Sequence, residues 1–254
     1  LKEAAMLEQT IVKACLLAGR IMMQSGAETY RVEDTMVRMA NACGISESQS
    51  FVTPTGIIFS LDGLSPTHLV RINERGTDLE KIAEVNRISR MIASKEINAV
   101  EALEQLQSIE RAHLGFPIPL QIVAAAFASG SFSIMFHGGW ADFLPAFFVG
   151  GLGFLILLFI HHITKVKLFA EFLAASTIGT AAMLLLNIRQ GMDLDLIIIA
   201  SVMPLVPGLL ITNAIRDLMA GNFVSGLSKG AEAFLTAFAI GSGVAVVFLI
   251  GGVS

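Results

Sequence analysis

The residues with the most chemistry in them lie in the run Met203-Pro204-Leu205-Val206-Pro207-Gly208, with Asn213, Asp217 and Gly221 downstream. The run sits inside a long apolar stretch that reads as a membrane span. Two prolines and a glycine there break the helix, because proline removes a backbone donor and clashes with the preceding turn. In lipid, backbone groups freed in this way are tolerated only where they face protein or a water-filled cavity. A half-helix restarting at Pro207-Gly208 would turn its amide end toward an anion such as a carboxylate. Asn213 and Asp217, four apart, share one helical face. The amide could hydrogen-bond a substrate or the backbone, and the acid could carry a proton or gate a path. A buried acid beyond a broken span is a transporter layout. The plain alternative is a proline kink followed by two polar residues at the cytoplasmic end, and the spacing leaves both open.

These residues must be positioned by the rest of a chain with two unlike halves. Residues 1–115 hold 12 Lys/Arg and 15 Asp/Glu, whereas residues 116–254 hold 5 Lys/Arg and 6 Asp/Glu in long apolar runs. The second composition is that of a membrane domain. The overall charge of −4 and the lack of a basic patch argue against nucleic acid as a partner. Cys15 and Cys43, without metal-ligand spacing, read as core cysteines of a reducing compartment, with a disulfide as the alternative. His68 and His113 stand apart from other ligand-type residues, and neither a metal nor a cofactor is expected. No secretory signal opens the chain. Its first residue is Leu1 rather than Met, as in a chain that lacks an upstream piece.

In the polar half, the apolar spacing of Ile11, Val12, Leu16, Leu17 and Ile21 predicts a helix over 4–24, ended by Ser25-Gly26. A second helix begins near Glu28-Thr29 and runs to about Cys43-Gly44. Glu28 and Arg31 are three apart at its start. They read either as a polar cluster that contacts substrate or gates the membrane part, or as a surface ion pair worth a few tenths of a kcal/mol. Residues 51–61 read as a strand returning through Asp62-Gly63 to a second strand at 67–72, with Pro54 restricting the first to an edge or a bulge. Asp78 caps a helix over about 79–93, and a last helix covers about 98–112. The expected order is α-α-β-β-α-α, an α+β domain over residues 1–115.

Residues 116–254 are expected to form an all-α transmembrane domain of five helices, at roughly 117–136, 143–160, 168–187, 194–213 and 231–253, the fourth broken at Pro204-Pro207-Gly208. With residues 1–115 inside, the inner loops carry Lys165, Lys167, Arg216 and Lys229 and the outer loops only Arg189. The polar domain is therefore placed in the cytoplasm and the C-terminus outside. Ala233, Ala237, Gly241 and Ala245 give the fifth span one narrow face that admits a close helix. Gly150, Gly151 and Gly153 thin the second span. An odd span count with one broken helix and no internal repeat puts the matching half of a two-repeat transporter on another chain.

Three blocks, taken together, resemble the threonine/serine exporter family: Ser25-Gly26-Ala27-Glu28-Thr29-Tyr30-Arg31-Val32-Glu33, Phe51-Val52-Thr53-Pro54-Thr55-Gly56, and Pro204-Leu205-Val206-Pro207-Gly208 with Asn213-Ala214, Asp217 and Gly221. The match covers nearly the whole chain in order, and is to the larger component of the split, two-protein form. The resemblance implies a small partner with about five further spans. It also implies export of threonine and serine, or of succinate for the split type. The expectation is a bacterial inner-membrane exporter subunit for a small carboxylate-bearing metabolite, not an enzyme. It would work in a hetero-oligomer and be driven by an ion gradient, since no phosphate-binding Gly-x-x-x-x-Gly-Lys-Ser/Thr loop is found. Its binding residues would be Pro207, Gly208, Asn213 and Asp217, with Glu28 and Arg31 as the cytoplasmic cluster. The rivals are a membrane-anchored enzyme active in residues 1–115 and a membrane scaffold or sensor.

Overall fold

The computed structural model describes residues 2–61, 66–112, 115–188 and 192–251. They are mostly helical, with one small sheet. Two compact units emerge: Leu1–Gly115 together with Leu209–Gly230, and Phe116–Gly208 together with Ala231–Ser254.

The first unit is built around helix α1 (Lys2–Gln24), which packs on α2 (Thr29–Ala42), α3 (Leu79–Ala93) and α4 (Ala99–Arg111). Ile11, Cys15, Ala18 and Met22 of α1 point into a core shared with Val32 and Met36 of α2, Val85 and Ile88 of α3, and Leu106 of α4. Asp78 accepts from the Lys81 amide at the start of α3, and Asn98 and Glu101 form a reciprocal capping box on α4. An antiparallel sheet of β1 (Ser48–Thr53), β2 (Gly56–Leu61) and β3 (His68–Arg71) completes the core through Val52, Ile57, Phe59 and Leu61.

The sheet corrects the expected order to α-α-β-β-β-α-α. The stretch 51–61 is not one strand, because the chain turns at Pro54-Thr55 so that Thr53 pairs with Gly56. The Thr53 hydroxyl accepts from the Gly56 amide and donates to its carbonyl, both at 3.1 Å. Proline suits this turn because its fixed φ is wanted and its missing N–H is not. The Asp62-Gly63 turn and His113 lie outside the described residues.

The second unit consists of α5 (Ile118–Met135), α6 (Trp140–Thr164), α7 (Lys167–Ile188), α8 (Leu194–Val202) with a 3-10 turn (Met203–Leu205), and α10 (Phe223–Gly251) from Ala231 onward. Helix α6 packs on α5, α7 and α8, and its glycines make the approach possible. A Cβ at Gly150 would run into Ser129 of α5, and one at Gly153 into Ile178 of α7. Val149, Ala174, Ile178, Ile197 and Leu205 form the core. Among the described residues, four helices are long and apolar enough to cross a membrane, or five if the broken pair Leu194–Leu205 and Gly208–Met219 is one span. The segment 214–230, expected as a connection, is helical apart from a turn at 220–222. Helix α9 (Gly208–Met219) continues to Met219, and α10 starts at Phe223 rather than near 231.

Candidate functional site

The break in the fourth apolar run falls at Val206, whose backbone is extended between the 3-10 turn and α9. Pro204 sits within that turn and Pro207 precedes α9. Gly208 opens α9 with its amide on the Val206 carbonyl at 2.8 Å, and a Cβ there would meet nothing within 4 Å.

Further along α9, Asn213 and Asp217 turn one face into the first unit, where it meets the start of α2. The approach begins at the end of α1. Gly26, at φ +88°, closes α1 with the Ala27 amide on the Met22 carbonyl and its own amide on that of Met23, a Schellman ending that needs the left-handed residue. This reversal presents the Gly26 carbonyl to Asn213 Nδ2, which donates to it at 2.8 Å. Helix α2 then starts at Thr29 with Glu28 as a cap residue whose side chain makes no capping bond. Asp217 supplies the bond instead. Its Oδ1 accepts from the Thr29 amide and its Oδ2 from the Thr29 hydroxyl, both at 2.9 Å. A carboxylate at a helix N-terminus is favoured by the free amides and the helix dipole.

Lys229, on the first turns of α10, faces the same carboxylate. Its Nζ donates to Asp217 Oδ2 at 2.7 Å, to the Ala27 carbonyl at 3.1 Å and to the Thr29 hydroxyl at 3.3 Å, so all three of its protons have acceptors. Asp217 and Thr29 are fully buried and Lys229 is 4% exposed. A buried charge pair of this kind is stable only when its remaining hydrogen bonds are met, and here they are. Gly221, at φ +85°, makes the hairpin between α9 and α10, with the Asn222 amide on the Asp217 carbonyl at 2.8 Å. This turn brings Lys229 back beside Asp217.

Two carboxylates border the pair. Arg216 Nη1 donates to Glu28 Oε1 at 2.6 Å and Arg31 Nη1 to Oε2 at 3.2 Å. Burial pushes the Glu28 carboxyl up, but its own amide, Arg216 and Arg31 outweigh this and hold it below the usual range. Glu33 accepts from the Val52 amide at 2.9 Å. There burial prevails and, helped by the charge of Asp217, raises the carboxyl above its usual range against the hydrogen bonds from Val52 and Asn222. Ser225 donates to the Val52 carbonyl at 3.2 Å, so β1 is held by side chains of both α2 and α10. Arg31 also lines an open groove of about 400 Å³ between α2 and α3 with Arg38 and Arg90.

Glu28, Asn213 and Asp217, named from the sequence, therefore meet in one cluster with Arg31 at its rim, while Pro207 and Gly208 lie at the break at the head of α9. Thr29, Glu33, Arg216 and Lys229 belong to the cluster too, although the sequence does not mark them as site residues. Lys229 carried a signal, because a lone ammonium opening an apolar run needs a counter-charge. Among the described residues no group of three or more His, Cys, Asp and Glu could hold a metal. Cys15 is buried with its thiol pushed up to about 12, which keeps it protonated and poorly nucleophilic.

Several apolar helices of spanning length in one chain define a multi-pass membrane protein. A family model described as "Putative threonine/serine exporter" matches residues 13–251, and the chain belongs to that family, which places it with transporters rather than enzymes. It is similar to the "Probable succinate transporter subunit YjjP" of Klebsiella aerogenes, 24% identical over 96% of this chain and 95% of that protein. The Escherichia coli (strain K12) protein of the same name is 26% identical over 96% of each. A "Probable threonine/serine exporter" of Mycobacterium tuberculosis is 25% identical over 85% of this chain but only 42% of its own length. No solved structure matches.

Proposed function

We propose that the chain is the larger subunit of a bacterial inner-membrane secondary exporter of a small carboxylate-bearing metabolite, threonine/serine or a succinate-like dicarboxylate. Its partner is a small membrane subunit of the same family with about five spans. The observation that carries this reading is the pattern of coverage. The two transporter subunits are matched almost end to end, whereas the mycobacterial exporter keeps more than half of its length outside the match, room for a second membrane half.

In this reading residues 1–115 are cytoplasmic, residues 116–254 cross five times, and the C-terminus is outside. Pro207 and Gly208 start the half-helix that meets the substrate carboxylate, and Asn213 binds substrate or backbone. Asp217 is the gating acid. Its three donors come from α2 and α10, so a proton placed on it would loosen Thr29 and Lys229 together. Glu28 and Arg31 form the cytoplasmic side of that gate.

The test is reconstitution of the chain into vesicles, with and without the proposed five-span partner subunit, loaded with labelled succinate or threonine. Gradient-driven efflux that requires both proteins is expected. Full-rate efflux by this chain alone would overturn the two-subunit reading, and no efflux of any small carboxylate under any gradient would overturn the exporter reading.

A further inference from the structure

The groove between α2 and α3 lies within the first unit, and apart from Arg31 its residues have no part in the gate. On α2, Arg31, Asp34, Thr35 and Arg38 follow one another at helical spacing and share one face, and Arg90 lines the groove from α3. Its volume of about 400 Å³ suits a small metabolite, since such sites span about 300–1,000 Å³. The arginines bring more positive charge than their surroundings cancel. Arg38 is paired with Asp34, while Arg31 shares Glu28 with Arg216. Arg90 makes no ion pair among the described residues. Four guanidinium groups against two carboxylates leave a surplus of two positive charges. Arg31 bonds Glu28 through Nη1, so most of its donors are left for the groove. Thr35, 1% exposed, also lines it, and its hydroxyl makes no hydrogen bond among the described residues.

We propose that this groove is a second ligand site, for a small dicarboxylate held between Arg31 and Arg38 of α2 and Arg90 of α3. It shares no residue with the break at Pro207-Gly208. An arginine fork matches a carboxylate with two parallel hydrogen bonds. Arg31 and Arg38 stand two turns apart, about 10 Å along the helix, so the positive charge is spread along the groove. A ligand with a carboxylate at each end meets both ends of that spread, whereas a single phosphate meets one. Threonine and serine gain nothing from the surplus, because their ammonium cancels their carboxylate. The choice of succinate as the ligand rests on the exporter reading above. In that reading the groove lies on the side from which the metabolite is exported, and Arg31 joins it to Glu28 and Arg216 at the gate.

The test is local labelling of the purified full chain. In a Cys43→Ser background, Ala83→Cys puts a reactive thiol in the groove, because Ala83 lines it and is exposed whereas Cys15 is buried. Succinate at low ionic strength should slow the reaction with an uncharged maleimide severalfold, and phosphate or threonine at the same concentration should not. Added salt should weaken the protection, since exposed charges are screened. Arg38→Gln or Arg90→Gln should raise the succinate concentration needed by about tenfold, the loss of one charge-assisted hydrogen bond. Asp34→Asn removes a carboxylate that lines the groove and should lower that concentration, a gain that no folding defect imitates. Arg87→Gln, on α3 but outside the groove and paired with Glu84, should change nothing. No protection by succinate, equal protection by phosphate, or equal losses in Arg87→Gln and Arg90→Gln would each overturn the site. Protection in a chain that moves no carboxylate in the two-subunit vesicles leaves the site standing and sinks the exporter reading, and efflux without protection does the reverse.

Discussion

Asp217 acts as an N-cap for a helix that begins 188 residues earlier, and that use of a carboxylate sets what its replacement must do. Asp217→Asn leaves the Lys229 ammonium buried without a counter-charge. Breaking such a pair typically costs about 3–5 kcal/mol, so thermal unfolding of the purified chain should show a clear loss of stability. Adding Lys229→Met removes the stranded charge and should recover much of it. If Asp217 also gates transport, the double variant stays inactive in the vesicle assay despite its recovered stability, whereas a purely structural pair would regain transport along with stability. A second residue-scale expectation concerns pH. Glu28 is held below its ordinary value of 4.5, so the stability it contributes is present above that value. That stability is lost as the pH falls through the folded-state value, because the unfolded chain binds the proton first. The melting temperature of Glu28→Gln should therefore fall less steeply than wild type below pH 4.5. Glu33 is raised and runs the other way, its contribution falling as the pH rises from 4.5. The shared face of Asn213 and Asp217 was legible because it needs only helical spacing. Thr29 and Lys229 were not, since their bonds join segments that no local pattern links.

Helices announce themselves through caps and periodicity, and α3 and α4 lie where Asp78 and the apolar spacing predicted. The sheet was harder. By its lack of an amide Pro54 signals only a constraint on one long strand, whereas the neighbouring Thr53 and Gly56 supply the bonds of a two-residue turn. The α9–α10 hairpin is hidden in the sequence for a related reason. Its charged residues Arg216 and Lys229 have the look of a loop, while their partners Glu28 and Asp217 come from segments that no local pattern links. Helix α10 carries two small-residue faces with different uses. Gly243 is buried and a Cβ there would strike the Phe172 carbonyl of α7, while Gly241 is exposed with nothing within 4 Å. Gly243→Leu should destabilise the membrane unit by at least the ~1–3 kcal/mol of overpacking, read as lower thermal stability in detergent. Gly241→Leu should leave that stability near wild type and weaken co-purification with the proposed partner subunit, because Ala237, Gly241 and Ala245 of the expected stripe face away from this chain's own helices, whereas Ala233 is buried among them. Equal effects of the two variants on stability would remove the distinction.

At the scale of the whole molecule, composition separated a polar half from an apolar one, but the return of Leu209–Gly230 to the first unit is carried by single side chains that composition averages away. The same segment decides the topology. If α8, the 3-10 turn and α9 together cross the membrane, the chain spans five times and the two ends of its described part lie on opposite sides. If they do not, α5, α6, α7 and α10 give four crossings and both ends share a side. Single cysteines at exposed positions separate these cases once Cys43 is replaced by Ser, because Cys15 is buried. Ser94→Cys, in the first unit, and Val166→Cys, between α6 and α7, should react with a membrane-impermeant thiol reagent only after the cells are opened. Ala141→Cys, at the start of α6, should react in intact cells whose outer barrier has been removed. The decisive position is Gly251→Cys at the end of α10. Five spans place it with Ala141→Cys, as the basic residues Lys165, Lys167, Arg216 and Lys229 predict for loops on the inner side. Labelling of Gly251→Cys only in opened cells, in step with Ser94→Cys, would mean that the break at Val206 turns the chain back before it crosses. The half-helix at Pro207-Gly208 would then lie on the side of Ala141→Cys, opposite Ser94→Cys, which the bonds of Asp217 and Lys229 to Thr29 and Ala27 argue against.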